Sequence, residues 1–187
     1  HSIYSRLPFR EIRPLTRRWF SLTPAIKFRA RRIARSHGLK ARELLAVNLR
    51  GSQKFKEVPT TPVKYWVAIV SALREQHPNL VVALFSDDQD MVDEFMALAD
   101  FRAIDVGQEP RTSGGRSITR AFREAQNRSK LTKDFVARTW LISRARIVVT
   151  HTGNTAYWTA LFRGCHWGFF QFTAEPGHLN YSRLPCD

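Results

Sequence analysis

The sequence is short of acid. Asp and Glu number 16 against 30 Lys and Arg, leaving a formal charge of +14 on 187 residues. Long apolar runs are also missing. None approaches the roughly 18 residues that a membrane-spanning helix needs, and the first residues hold no signal-peptide apolar core. The expectation is a soluble domain, cytoplasmic in a bacterium or in the ER or Golgi lumen if it is a eukaryotic fragment. Cysteine is limited to Cys165 and Cys186. Without Cys-x-x-Cys spacing, two cysteines make neither a disulfide framework nor a zinc site, and Cys165 reads as a small buried apolar residue. Two glycine motifs are absent: the dinucleotide fingerprint after the first strand, and the P-loop with its Lys-Ser/Thr ending. The histidines (His1, His37, His77, His151, His166 and His178) are scattered and form no acid/base set. There is no internal repeat.

What is present describes a folded protein. Hydrophobic residues make up 43% and aromatics 12%, enough for one domain with a core, or a domain plus an arm. The charge is uneven. The first fifty residues carry only Glu11 and Glu43 against a long series of arginines, whereas Phe85 to Asp105 is acidic with Arg102 alone opposing. Such asymmetry suits a polyanionic partner, an acidic substrate or a solubilising surface.

Periodicity gives the order of elements. Residues 1–14, rich in Arg and Pro, read as an extended arm. Ser21 to Ser36 reads as a basic helix with Pro24 in its first turn and Gly38 past its end. Its apolar stripe is Trp19, Phe20, Leu22, Ile26 and Ile33. Strands are expected at Glu43–Leu49, Leu80–Phe85, Phe101–Val106, Arg146–Thr150 and His166–Phe172. Helices are expected at Val63–Gln76, Gln89–Ala99, Ile118–Asn127, Thr132–Ser143 and Ala156–Phe162. Gly107 to Arg116 is the longest polar stretch and reads as a mobile loop. Alternating strands and helices define an α/β, Rossmann-like, mainly parallel sheet with helices on both faces.

Right-handed crossovers bring every strand-to-helix turn to one edge of such a sheet. Four groups meet there. Arg50 and Lys54 follow the first strand and suit a phosphate, since guanidinium can give a phosphate two parallel bonds. Asp87 and Asp88 follow the second and suit a ribose or a base edge; a helix cap is the competing role, stronger for Asp88. Adjacent aspartates without a third nearby carboxylate are a poor metal site. The third group is the loop Gly107–Arg116. The fourth is His151 to Thr155, where Gly153, Asn154 and Thr155 open a helix and can present N–H groups to an anion. His151 is a candidate catalytic base or a structural residue. The basic helix around Arg29–Arg35 has the charge for nucleic acid but no recognised motif and no interleaved aromatic pattern.

The segment Asn48-Leu49-Arg50-Gly51-Ser52-Gln53-Lys54 resembles the His-x-Arg-x-x-Asp-Lys motif of the GT-B fucosyltransferases. The resemblance is closest to the α1,6-fucosyltransferases, including the N-glycan core enzyme and the rhizobial nodulation enzyme. It runs over residues 17–172. It includes Tyr65-Trp66 at the start of a helix, Leu84-Phe85-Ser86-Asp87-Asp88 at a strand end, and Leu141-Ile142-Ser143-Arg144-Ala145 leading to the turn Thr152-Gly153-Asn154-Thr155. The resemblance implies a C-terminal, nucleotide-sugar-binding lobe over residues 38–187, preceded by a basic arm and helix over residues 1–37. It implies inverting, metal-independent transfer of a sugar, with GDP-fucose as the donor and a glycan or protein hydroxyl as the acceptor. Arg50 then holds the β-phosphate, Asp87 and Asp88 the nucleoside, and Gly153, Asn154 and Thr155 a phosphate. The sequence departs from the motif at Asn48, in place of His, and at Gln53, in place of Asp. Arg138 stands near the position of the family's guanine-reading Asp. Two other classes stay open: a non-catalytic relative acting as a scaffold on RNA or another polyanion through residues 6–42, and an unrelated Rossmann-like domain.

Overall fold

The computed structural model describes residues 4–49, 61–107, 110–114, 118–173 and 179–181. Its centre is one sheet of six strands: β1 (Leu44–Leu49), β2 (Val81–Ser86), β3 (Ala103–Asp105), β4 (Ile147–His151), β5 (Phe169–Phe172) and β6 (Leu179–Tyr181). The spatial order is β3-β2-β1-β4-β5-β6. The first five strands are parallel, and β6 runs antiparallel to β5. Strand addition therefore reverses direction between β1 and β4, the position at which open α/β sheets form their ligand crevice.

Side-chain alternation along the strands builds two apolar layers. Leu44 and Ala46 of β1, Ala83 and Phe85 of β2 and Val148 of β4 face one side. Leu45, Val47, Leu49, Val82, Leu84, Ile147 and Val149 face the other. Both faces are covered, which is why β1 is buried from end to end and reads in sequence as an unbroken apolar run. The second face is covered by α3 (Val63–Gln76), through Trp66, Val70 and Leu73, and by α4 (Gln89–Leu98), through Met91, Val92 and Phe95. The first face takes α2 (Pro24–Ser36), α6 (Arg128–Ser143) and α7 (Asn154–Arg163), with Ala30, Ile33, Ala137, Leu141, Ile142, Ala156 and Ala160 packed inward. A short α5 (Ile118–Glu124) precedes α6.

The N-terminal region differs from the extended arm read in the sequence. After a helical turn at Tyr4–Arg6, α1 spans Phe9–Trp19 with Pro14 inside it. Proline costs a helix one internal bond, but Pro14 and Arg10 are both exposed, so the carbonyl left over faces water. The segment is anchored instead by burial. Tyr4 and Phe9 are within the first apolar layer together with Ala30, Ile33 and Leu44, so side chains on either side of residue 37 share one core. Phe9 meets the His166 ring edge-on at 4.6 Å. The apolar stripe expected for the basic helix holds only at Ile26 and Ile33; Trp19 and Phe20 are 68% and 52% exposed, because α1 ends at Trp19 and turns them outward.

Other boundaries move by a few residues. Helix α6 starts one turn earlier than Thr132, whose hydroxyl bonds back to the Arg128 carbonyl. Strand β5 starts at Phe169, since Gly168 (φ 65°) turns the chain just before it. A Cβ at Gly168 would stand 2.6 Å from the Arg146 carbonyl oxygen. Strand β6 has no counterpart in the sequence reading. Cys165 is held in a disulfide, which corrects the reading of it as an unpaired buried thiol.

One half-buried cation ties the end of α6 to the end of α7. The Arg163 guanidinium donates to the carbonyls of Ser143, Ala145, Arg146 and Trp167 at 2.6–3.2 Å. It thereby satisfies carbonyls that a helix end leaves without partners. Burial pushes its pKa down to about 10, so it stays charged at neutral pH. We expect Arg163→Leu to destabilise the fold by roughly 2 kcal/mol, because the part-buried carbonyls of Ser143 and Ala145 lose a charged donor. The check is a lower urea midpoint at an unchanged m-value; an unchanged midpoint would show that the clamp contributes nothing.

Candidate functional site

At the reversal point, a cavity of about 440 Å³ opens over the carboxyl ends of the strands. That size suits a small ligand or cofactor. Its floor is the end of β1 (Asn48 and Leu49) and the end of β4 (His151), with Asp87 after β2 and Thr155 and Ala156 from the first turn of α7. Ile118, Thr119, Phe122 and Arg123 of α5, Phe135 of α6 and Pro110 form the other wall. The result is a slot whose apolar walls, Ile118, Phe122 and Phe135 among them, are interrupted by Asn48, Asp87, Thr119, Arg123, His151 and Thr155, a mixture of apolar surface and orienting polar groups usual in small-ligand sites.

The floor is fixed by a bond across the reversal. Asn48 lies directly opposite Thr150 in the parallel register, and its Nδ2 donates to Thr150 Oγ1 at 2.9 Å in a buried setting. Beside it, His151 is 6% exposed and lies near-parallel to Trp66 at 6.4 Å. Its Nδ1 is 3.1 Å from the Thr152 carbonyl. A carbonyl only accepts, so Nδ1 carries the proton and the neutral ring keeps its lone pair on Nε2.

The two helix N-termini at this edge are unequal. In α4, Asp88 Oδ1 accepts from Met91 N–H at 3.2 Å and the Thr112 carbonyl accepts from Gln89 N–H at 2.8 Å. In α7, no side chain caps the helix, and among the described residues the N–H groups of Asn154, Thr155 and Ala156 have no protein acceptor. Free N–H groups at a helix start form an anion site. The amide of Gly153 is engaged differently. The Tyr4 hydroxyl accepts from Gly153 N–H at 3.0 Å and donates to the Gly153 carbonyl at 3.1 Å. Tyr4 N–H in turn donates to Gln171 Oε1 at 2.8 Å, and Gln171 Nε2 donates to Thr152 Oγ1 at 2.8 Å.

The site residues read from the sequence therefore separate. Asp87, His151 and Thr155 line the cavity. Asp88 does not: it is 4% exposed and serves as the cap of α4. Gly153 faces Tyr4, and Asn154 is exposed at the rim. Arg50 and Lys54 lie outside the described residues, immediately beyond Leu49. The described part of the loop read as mobile, Gly107 and residues 110–114, is tied down. Thr112 N–H donates to the Asp87 carbonyl at 2.9 Å, Gly114 N–H donates to Asp90 Oδ2 at 2.7 Å, and Arg111 donates twice to Asp105 at 2.7 Å. Sequence reasoning missed Phe122, Phe135 and Tyr4. The two phenylalanines look like ordinary helix core, and nothing local marks Tyr4.

Two carboxylates near the site are strongly paired. Arg111, helped by the Gly107 N–H, holds the Asp105 carboxyl below its ordinary range. Arg29 does the same for Asp134, the acid of α6, so that Asp134 faces α2. Among the described residues, no group of three His, Cys, Asp or Glu converges as a metal site, and no helix is long and apolar enough to cross a membrane.

No family model matches the chain, and no curated protein matches it significantly. Among solved structures it is similar to a glycosyl transferase family 9 protein from Veillonella parvula DSM 2008, with a TM-score of 0.51 at 10% identity. The match covers 81% of this chain and 41% of that one; the chain thus spans well under half the length of its structural neighbour. The likeness is one of fold: a mostly parallel, Rossmann-like α/β sheet with helices on both faces.

A lowered carboxylate pKa adds stability above the unfolded value of about 3.9 and loses it as pH falls through the folded value. Asp105→Asn and Asp134→Asn should each be less stable than the parent at pH 7. The gap should close progressively below about pH 4. Urea titrations across pH 2–7 check this, and a gap independent of pH would refute the ionic origin.

Proposed function

We propose that this chain is the donor-binding part of a glycosyltransferase that takes its sugar from a nucleotide diphosphate, with GDP-fucose as the donor and a glycan or protein hydroxyl as the acceptor. The observation that carries this reading is the cavity at the β1/β4 reversal, where an apolar slot runs into the uncapped first turn of α7. The slot suits a nucleobase between Phe122 and Phe135, and Asp87 suits a ribose hydroxyl. The N–H groups of Asn154, Thr155 and Ala156 suit a phosphate. Arg50 and Lys54, next along the chain from Leu49, would supply the positive charge.

In this reading the acceptor oxygen attacks the anomeric carbon from the face opposite the diphosphate. The glycosidic bond to the diphosphate breaks as the new bond forms, and the configuration inverts. The departing diphosphate gains negative charge, and Arg50 with the α7 N–H groups stabilises it; this is electrostatic catalysis of a leaving group and requires no metal. The hydroxyl proton goes to a base. His151 is the candidate because its Nδ1 proton is committed to the Thr152 carbonyl, which leaves Nε2 as the accepting atom. The Asn48–Thr150 bond holds this floor without charge.

Calorimetric titration with GDP, UDP, CDP and GDP-fucose tests the reading. Selective GDP binding is expected, weakened at least ten-fold by Arg50→Ala, about 1.4 kcal/mol, and also weakened by Asp87→Ala. By contrast, Asp88→Ala should leave nucleotide affinity intact and cost about 1 kcal/mol of fold stability because the helix cap is removed. Tight binding of a different diphosphate would keep the transferase and change the donor. Absence of binding by a folded protein to all four ligands would overturn the proposal.

A further inference from the structure

A second groove lies at the opposite edge of the sheet. It has a volume of about 320 Å³ and is bordered by Arg31 and Arg35 of α2, Arg144 just after α6, and Trp140, with Leu39 and Leu141 as its floor. Arg144 and Ala41 stand before the amino ends of β4 and β1, whereas the cavity described above lies beyond their carboxyl ends. The groove is therefore a separate place on the molecule.

Its charge is uncompensated. Helix α2 carries Lys27, Arg29, Arg31, Arg32 and Arg35 and no acid. Helix α6 and its C-cap carry Arg128, Lys130, Lys133, Arg138 and Arg144 against Asp134 alone. That one carboxylate is consumed by Arg29. Among the described residues, Arg31, Arg35 and Arg144 join no ion pair. Like charges this close repel one another, and a bound anion would relieve that repulsion.

The arrangement is linear. Lys27, Arg31 and Arg35 follow one another at i, i+4 and i+8, about 6 Å apart along the helix axis. A ladder of cations suits a chain of regularly spaced anions better than a single phosphate. Trp140 is half-buried and lines the groove among the guanidinium groups. An aromatic face set into a cationic channel is how proteins take up unpaired bases. A flat anionic surface such as a bilayer would reach the protruding arginines but not a recessed ring.

We propose that the groove between α2 and α6 binds single-stranded nucleic acid, its phosphates along Lys27, Arg31, Arg35 and Arg144 and a base against Trp140. The site does not depend on nucleotide-sugar binding at the other edge.

The test is fluorescence anisotropy of a labelled twelve-nucleotide single-stranded RNA across a NaCl series, together with quenching of tryptophan emission. Binding is expected to weaken linearly on log–log axes with salt. Arg31→Glu with Arg35→Glu should reduce affinity at least ten-fold and flatten the salt slope by about 1.4, roughly 0.7 for each single-strand phosphate that is no longer neutralised. These side chains are exposed, so circular dichroism should show an intact fold. Arg144→Gln should reduce affinity independently, and Trp140→Phe should retain more binding than Trp140→Leu. A pair on α1, Arg10→Glu with Arg17→Glu, should retain the affinity of the parent. Equal weakening by the α1 pair would overturn the site in favour of diffuse charge. Binding to a sulfated glycan or to anionic phospholipid vesicles without binding to RNA would overturn the ligand.

Discussion

The hydrogen bond between Asn48 and Thr150 joins the two strands on which the rest of the sheet is built. Strands β2 and β3 are added on one side of β1, and β5 and β6 on the other side of β4. The β1–β4 pair is thus where the two halves meet, and where the connections diverge to leave a crevice. The pairing is buried and parallel, so a polar side chain there needs an internal partner. Asn48 and Thr150 supply one another. With that pair in place, Leu49 and His151 end at the same level, and the cavity floor follows from their register.

Much of this could be read in the chain itself. The apolar runs within Glu43–Leu49 and Leu80–Phe85 and the spacing of Trp66, Val70 and Leu73 are local signals, and local signals set element type. Asp88 as cap of α4 was equally legible, because a cap acts on backbone within one turn. The convergence of Asp87, His151 and Thr155 followed from topology alone, since a parallel sheet gathers its strand ends on one edge.

What the sequence did not reveal depends on interactions between distant residues. Proline and arginine made residues 1–14 look extended, yet Phe9 and Tyr4 find partners at His166, Phe169 and Gly153, and burial outweighs the bond that Pro14 removes. Trp19 and Phe20 looked like core and are exposed, because helical periodicity says nothing of where a helix stops being covered. Phe122 and Phe135 line the cavity without any local sign of it. Cys165 carried no spacing signal, so its disulfide could not be read from sequence. Asp134 is turned toward α2 by Arg29, an interaction across 105 positions.

Tyr4 also bears on how the chain is assembled. It is bound to Gly153 and Gln171, 149 and 167 positions away, so its partners come from the turn after β4 and from β5. Until β4 and β5 have paired, the hydroxyl has no turn to hold and the ring has no Phe169 to rest on. Pairings that span so much sequence close slowly. The segment at Tyr4 therefore docks only once β4 and β5 have paired.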